Sequence, residues 1–193
     1  MADKIITSAT FEPISVADAG EYLRVDDLVA DTALLQSLIT ASRQAVEQFL
    51  NRYIAEQTVE TAYNGFSNEL VLSSPVSSVT SVKYLDSNGA EQTLATNQYL
   101  VDTYSEPAVI TPAYNVTYPA TYAVPNSVKV RYVVGFTSGG SPDTNPLPKP
   151  IRHAMMLIIG DLYANREGQS DKAYQINPTV QNLLFPYRLE MGV

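Results

Sequence analysis

The sequence predicts an α+β protein with a helical core: a long helix at 31–53 packed on another at 151–167. An antiparallel β-rich region is inserted between them, and a short C-terminal helix or arm follows. Three observations carry this. Apolar residues recur at three- and four-residue steps in "DTALLQSLITASRQAVEQFLNRY" and again in "PIRHAMMLIIGDLYANRE". Between them, after Ile54, the apolar period falls to two, and short Val-, Tyr- and Thr-rich runs alternate with turn residues.

Taken in order, Ser15 stands before "VADAGEYL" with Asp18 three positions on, a capping box with the shorter acid. Val16, Ala19, Tyr22 and Leu23 make a narrow apolar stripe, so a short first helix is expected there. "VDDLVAD" breaks the pattern and offers Asp27 or Asp31 as the next cap. The helix at 31–53 then runs for about five turns, roughly 30 Å at 1.5 Å per residue. It is expected to bury Leu38, Ala45 and Phe49 against Met155, Ile158 and Leu162 of the second long helix.

Five runs then read as strands: "TVETAY", "ELVLS", "SVTSVKYL", "QYLVD" and "NSVKVRYVV". Asn88-Gly89 in "DSNGAE" predicts a type I′ hairpin turn, which needs positive φ at both central residues. In the last run Val128, Val130, Tyr132 and Val134 share one face and Lys129 and Arg131 the other, the alternation of a half-buried strand. "TSGGSPDTNPLPKP" reads as a linker whose Pro150 opens the second long helix, with Gly168 as its stop. Asn177 as cap and Pro178 at the first helical position start the last short helix, closed by Pro186. The division is then 1–57 for the N-terminal helical part and 58–136 for the β insertion, with 137–150 as linker. Residues 151–168 form the C-terminal core helix and 169–193 a C-terminal arm.

Composition narrows the function. The 193 residues are 45% hydrophobic and 17% charged, enough to bury a core. No apolar run approaches a membrane span, and "MADKIITSATFEP" does not read as a signal peptide. The absence of cysteine removes disulfides and thiolate metal sites, and suits an intracellular protein. A single histidine removes multi-imidazole zinc sites. The net charge of −8 and the scattered Lys and Arg argue against gripping a phosphate backbone, while allowing DNA to slide past.

Catalytic chemistry finds no constellation. His153 has Asp161 two turns away on its own helix, out of reach, and reads as a residue at the margin of a packed face. No Gly-x-Ser-x-Gly elbow occurs, "GFTSGGSP" lacks the Lys-Ser/Thr end of a phosphate loop, and "DSNGAE" has its glycine too early for a calcium loop. Asp26, Asp27 and Asp31 read as a solvated loop capping a helix rather than a cation site. Asn115 heads a formal glycosylation triplet, relevant only to a secreted chain. No catalytic, cofactor or metal residues are assigned, and an enzyme is not expected. Tyr114, Tyr118 and Tyr122, amid prolines, leave open a monomeric carbohydrate- or protein-binding module built on the β region. The arm begins polar and ends apolar, with too little surface of its own to offset its ordering. Leu183, Leu184 and Phe185, beside Tyr187 and Arg188, are therefore the candidate partner-binding residues, seated in a groove on another chain.

The order of these features resembles the head–tail connector (adaptor, or head-completion) proteins of long-tailed bacteriophages and related gene-transfer agents. The resemblance rests on "ISVADAGEYLRVDD", "LLQSLITASRQAVEQFLNRYIAEQTVE", "SPVSSVTSVKYLDSNGAEQTL", "YLVD", "VKVRYVVGF", "LPKPIRHAMMLIIGDLYANRE" and "VQNLLFPYR", which cover most of the chain. The tyrosine- and proline-rich stretch 103–125 is longer than the family pattern. The resemblance implies a structural virion protein at the head–tail junction, assembled in the bacterial host cytoplasm, with no catalytic residues. It further implies a homo-oligomeric ring, of about twelve copies, seated under the portal protein. That ring would extend the DNA channel, pass genomic DNA without tight binding, and dock the next neck or tail completion protein. The portal or a neighbouring subunit would be the partner of the arm.

Overall fold

The computed structural model describes residues 2–137, 145–165 and 177–189. The chain forms two compact units, Met1–Thr10 with Ala55–Phe136, and Phe11–Ile54 with Thr137–Val193.

The first unit is β. Its strands are β1 Ala2–Thr7, β2 Gln57–Tyr63, β3 Leu70–Val71, β4 Val76–Leu85, β5 Glu91–Thr93, β6 Tyr99–Asp102, β7 Val109–Pro112 and β8 Val128–Val134. They form a five-stranded sheet, β1-β2-β8-β4-β5, and a three-stranded sheet, β3-β7-β6, every named pair antiparallel. The five predicted runs are all strands. β8 alternates as expected, with Val128, Val130, Tyr132 and Val134 buried and Lys129 and Arg131 on the outer face.

Three strands escape the periodicity argument. β5, Glu91–Thr93, has no apolar residue to mark a face, and β7, Val109–Pro112, ends on a proline, which argues against a strand. β1 lies in the segment assigned from sequence to the helical part, yet pairs with β2 from Ala2 opposite Ala62 to Thr7 opposite Thr58. Its apolar pair Ile5-Ile6 gave no period because a bulge between Ile5 and Thr7 interrupts the alternation.

The hairpin between β4 and β5 corrects the turn type. Gly89 alone has positive φ, +81°, so the turn is not type I′. The Gly89 N–H donates to the Asp86 carbonyl, and the Asp86 N–H to the Ala90 carbonyl, a tight turn completed by a left-handed glycine. Asp86 Oδ1 accepts the N–H groups of Asn88 and Ala90, and this local grip selects the three-residue loop.

The second unit is helical: α1 Val16–Leu23, α2 Leu28–Leu50, α3 Lys149–Ala164 and α4 Pro178–Leu184. Ser15 and Asp18 form the expected capping box on α1. Asp27 rather than Asp31 caps α2, through a bond from the Ala30 N–H, so the helix starts three residues before the expected boundary. It ends at Leu50 because Asn51 turns left-handed at φ 54°. The expected stop of α3 at Gly168 lies outside the described residues; the described helix closes at Asn165.

Helices α2 and α3 pack together as expected, but through a different stripe. Leu35, Ile39, Ser42, Val46 and Leu50 are the buried positions of α2; Leu38 and Phe49 are half-buried and Ala45 is exposed. On α3 the buried set is Ile151, Ala154, Met155, Met156 and Ile159, with Ile158 and Leu162 only partly covered. Met155 is thus the expected core residue found fully inside. Both apolar stripes are wide enough for two rotations of the helix, and packing on α1 and α4 chooses between them.

Candidate partner-binding site

The candidate site grows from the end of α4. Asn177 accepts the Thr179 N–H and starts the helix; Pro178 follows at the first helical position, as expected. Val180 and Leu184 turn inward, Leu184 to 2% exposure. One 3₁₀ turn, Phe185–Tyr187, ends the helix. The Leu189 N–H donates to the Leu50 carbonyl at 2.9 Å, and the Asn51 side-chain amide donates to the Leu189 carbonyl at 3.0 Å. The Arg188 guanidinium lies 5.4 Å from the Phe49 ring centroid, a cation–π contact. The described part of the arm is therefore tied to its own helices by backbone and side chain.

This changes the expected docking face. Leu184 is a core residue of its own unit rather than a free anchor, because α2 and α3 already present it with apolar surface. Neighbouring helical residues also diverge by about 100°, so Leu184 and Phe185 cannot share a face. Phe185 is the side chain left outside, 66% exposed. Leu183 and Tyr187 are half-buried beside it and Arg188 is exposed. Behind α4 a groove of about 240 Å³ opens between Ala45, Phe49, Ile158, Val180 and Leu184, with Asp161 on its rim.

Polar ties stiffen the same unit. Arg43 Nε and Nη2 donate to the two oxygens of Glu12 at 2.8 and 3.2 Å, and Nη1 to Glu47 Oε2 at 3.0 Å. Glu47 Oε1 accepts the Ile54 N–H, and Glu12 also accepts the Thr40 hydroxyl. Burial works against the charge on Arg43, but the two carboxylates outweigh it and hold its pKa above the ordinary value. Arg152 pairs with Asp18 at 2.9 Å, joining α3 to α1; the Ser15 hydrogen bond first, and Arg152 after it, hold the Asp18 carboxyl below its usual range.

The residues weighed for other chemistry are dispersed. His153 is exposed on α3. Asp27 caps α2, while Asp31 accepts the Tyr163 hydroxyl at 2.7 Å. Among the described residues no three His, Cys, Asp or Glu side chains are grouped to hold a metal ion. No helix among them is long and apolar enough to cross a membrane. The tyrosine cluster divides: Tyr118 stacks on Phe66 with centroids 4.4 Å apart, while Tyr114 and Tyr122 face solvent. Sequence reasoning missed the Glu12–Arg43 clasp, whose 31-residue separation carries no periodic signal; Arg43 and Glu47 stand at i,i+4 on one helix, and that spacing was the signal available.

Comparison with known proteins gives these elements a context. The profile of the head completion protein family matches residues 12–160. No curated protein matches the chain in sequence. Among solved structures, a chain from the neck of an empty gene transfer agent particle, computed with C6 symmetry, aligns at TM-score 0.80 and 20% identity. The alignment covers 100% of this chain and 98% of that one. A chain from the neck of the native particle, computed with C12 symmetry, aligns at TM-score 0.74, with 20% identity and the same coverage. A chain of the native gene transfer agent virion gives 0.77, again at 20% identity over 100% and 98% of the two chains. At that identity the likeness is one of fold. The family match spans most of the chain, from Glu12 to Gly160 within α3, and this chain belongs to the head completion protein family.

Proposed function

We propose that copies of this chain form a ring beneath the portal vertex of a phage-like particle, where they extend the DNA channel and receive the next neck or tail component. The observation that carries this reading is the family match over residues 12–160, which includes α1, α2, most of α3 and all strands except β1. The fold shared with chains from necks computed with C6 and C12 symmetry supports a ring, for which twelve copies is the reading adopted. The net charge of −8 supports a conduit rather than a grip, since a lining that bound phosphates would retard DNA. The role is structural rather than enzymatic.

In this reading Phe185, flanked by Leu183, Tyr187 and Arg188, meets the portal or a neighbouring subunit. An exposed aromatic beside an arginine is the composition of an interface anchor. Leu184 supports it from within. Electron microscopy of the protein mixed with its cognate portal tests the proposal: a ring of density under the portal is expected, and a portal that stays bare with excess protein present would sink it.

A further inference from the structure

We propose that the ring is closed edge to edge, the open side of β1 in one subunit pairing with the open side of β5 in the next. This rests on the ring reading above and specifies its joint. Both strands are outer strands of the same five-stranded sheet, and each has one unpaired side. Such an edge presents free N–H and C=O groups, a ready template for another strand.

Two features of the edges point to a second copy as the occupant. The first is charge. Lys4 stands opposite Glu60, and Glu60 opposite Arg131, so the three share the outer face of the sheet. Arg131 and Glu60 are bonded at 2.8 Å. At the far edge Lys83 and Glu91 share that face and are bonded at 2.8 Å. On this face β5 ends the sheet with the carboxylate of Glu91 and β1 begins it with the ammonium of Lys4, so joining the two edges brings opposite charges to the joint. Edge lysines commonly keep a strand unpaired; here the opposite edge supplies the counter-charge.

The second is apolar surface. Ile5 stands opposite Val59, on the face that buries Val59 and Tyr132, yet remains 52% exposed because no strand lies beyond it. A strand added at that edge covers it. The three residues of β5 fit within the four that β1 offers before its bulge, Ala2 to Ile5. Because β1 and β5 are different surfaces, the contact is head to tail, the kind that generates rings when the rotation closes.

Lys4 and Glu91 lie on opposite edges, about 19 Å apart at roughly 4.8 Å per strand, well beyond the screening length of about 8 Å at physiological salt. They can interact only between subunits, so coupling between neutral variants at the two positions reports on the joint alone. The neutral variants Lys4→Gln and Glu91→Gln are each expected to lower ring occupancy on portal-bearing particles, by up to about fivefold per joint, and the double variant to lower it no further than either single one. The chain has no cysteine, so Lys4→Cys with Glu91→Cys gives a clean crosslinking pair. A short bis-maleimide is expected to give a ladder of covalent oligomers beyond the dimer from the double variant, and none from either single variant. Rings seen by microscopy without a ladder, or Lys4→Gln and Glu91→Gln variants that assemble like the parent, overturn the edge joint and leave the ring reading standing. A parent protein that forms no ring on its portal overturns both.

Discussion

Tyr132 is fully buried in the five-stranded sheet, and its hydroxyl oxygen accepts the Ser73 N–H at 2.9 Å. The Thr61 hydroxyl donates to Asp3 at 2.6 Å, so Tyr132 donates in turn to the Thr61 oxygen, 2.7 Å away. The Ser73 hydroxyl closes the set on the second Asp3 oxygen. Tyr132→Phe leaves the Ser73 N–H without this acceptor, and is expected to cost about 1–3 kcal/mol in a denaturant titration. An unchanged midpoint would show the chain of bonds to be without consequence. Gly135 is a sharper case, with φ +104° and an added Cβ 2.3 Å from the Ala55 carbonyl oxygen. Gly135→Ala is expected to destabilise by more than about 2 kcal/mol, since neither backbone can give way. Tyr118 offers a pH handle, because burial pushes its pKa from 10.0 up to about 12. The folded state prefers the neutral phenol, so this contribution is complete below pH 10.0 and is lost as pH rises towards about 12. Ultraviolet titration of the parent against Tyr118→Phe is expected to differ by one late-ionising phenol.

The helices separate two readings of one amphipathic pattern. With Leu35 and Ile159 fully inside, Leu35→Ala or Ile159→Ala is expected to cost about 2–5 kcal/mol. Ala45→Ser, at an exposed position of the same helix, is expected to stay within about 0.5 kcal/mol. Equal losses at Leu35 and Ala45 would contradict the stripe described. The arm divides in the same way. Leu184→Ala removes a core contact and is expected to lower the unfolding midpoint, whereas Phe185→Ala is expected to leave it unchanged and to reduce joining to portal-bearing particles. Removing the arm altogether would also strip Val180 and Leu184 from the core, so the point variant is the cleaner test. A Phe185→Ala protein that joins particles normally would show that the arm's exposed side is not a contact.

At the scale of the whole molecule, charge governs how the protein meets DNA. With 12 basic and 20 acidic residues, binding of duplex DNA at physiological salt is expected to be weaker than roughly 10⁻⁴ M, the weak end of non-specific binding. A gel-shift titration at that salt checks it, and tight, salt-sensitive retardation would contradict a passive channel. The two units differ in how much of them the sequence exposes to reading. In the helical unit the elements are long, so three-residue boundary errors leave the architecture intact. In the β unit the longer strands are plain, but their order is not, because β8 inserts between β2 and β4, its partners from much earlier in the chain.

The sequence by itself determined the local choices, because those depend on neighbours only a few residues away. The capping box at Ser15 and Asp18, the start of α4 at Asn177 and Pro178, the alternation of β8 and the absence of cysteine chemistry are of this kind. It also carried the likeness to head completion proteins, through the order of helices and hairpin. Tertiary structure alone decided which rotation of α2 faces inward, that β1 joins the sheet through Ala62 and Val59, that Leu184 turns home while Phe185 stays out, and that Glu12 clasps Arg43. Each of those is a contact between residues far apart in the chain. Their free energy comes from shared burial and paired charge, which no short window of sequence contains.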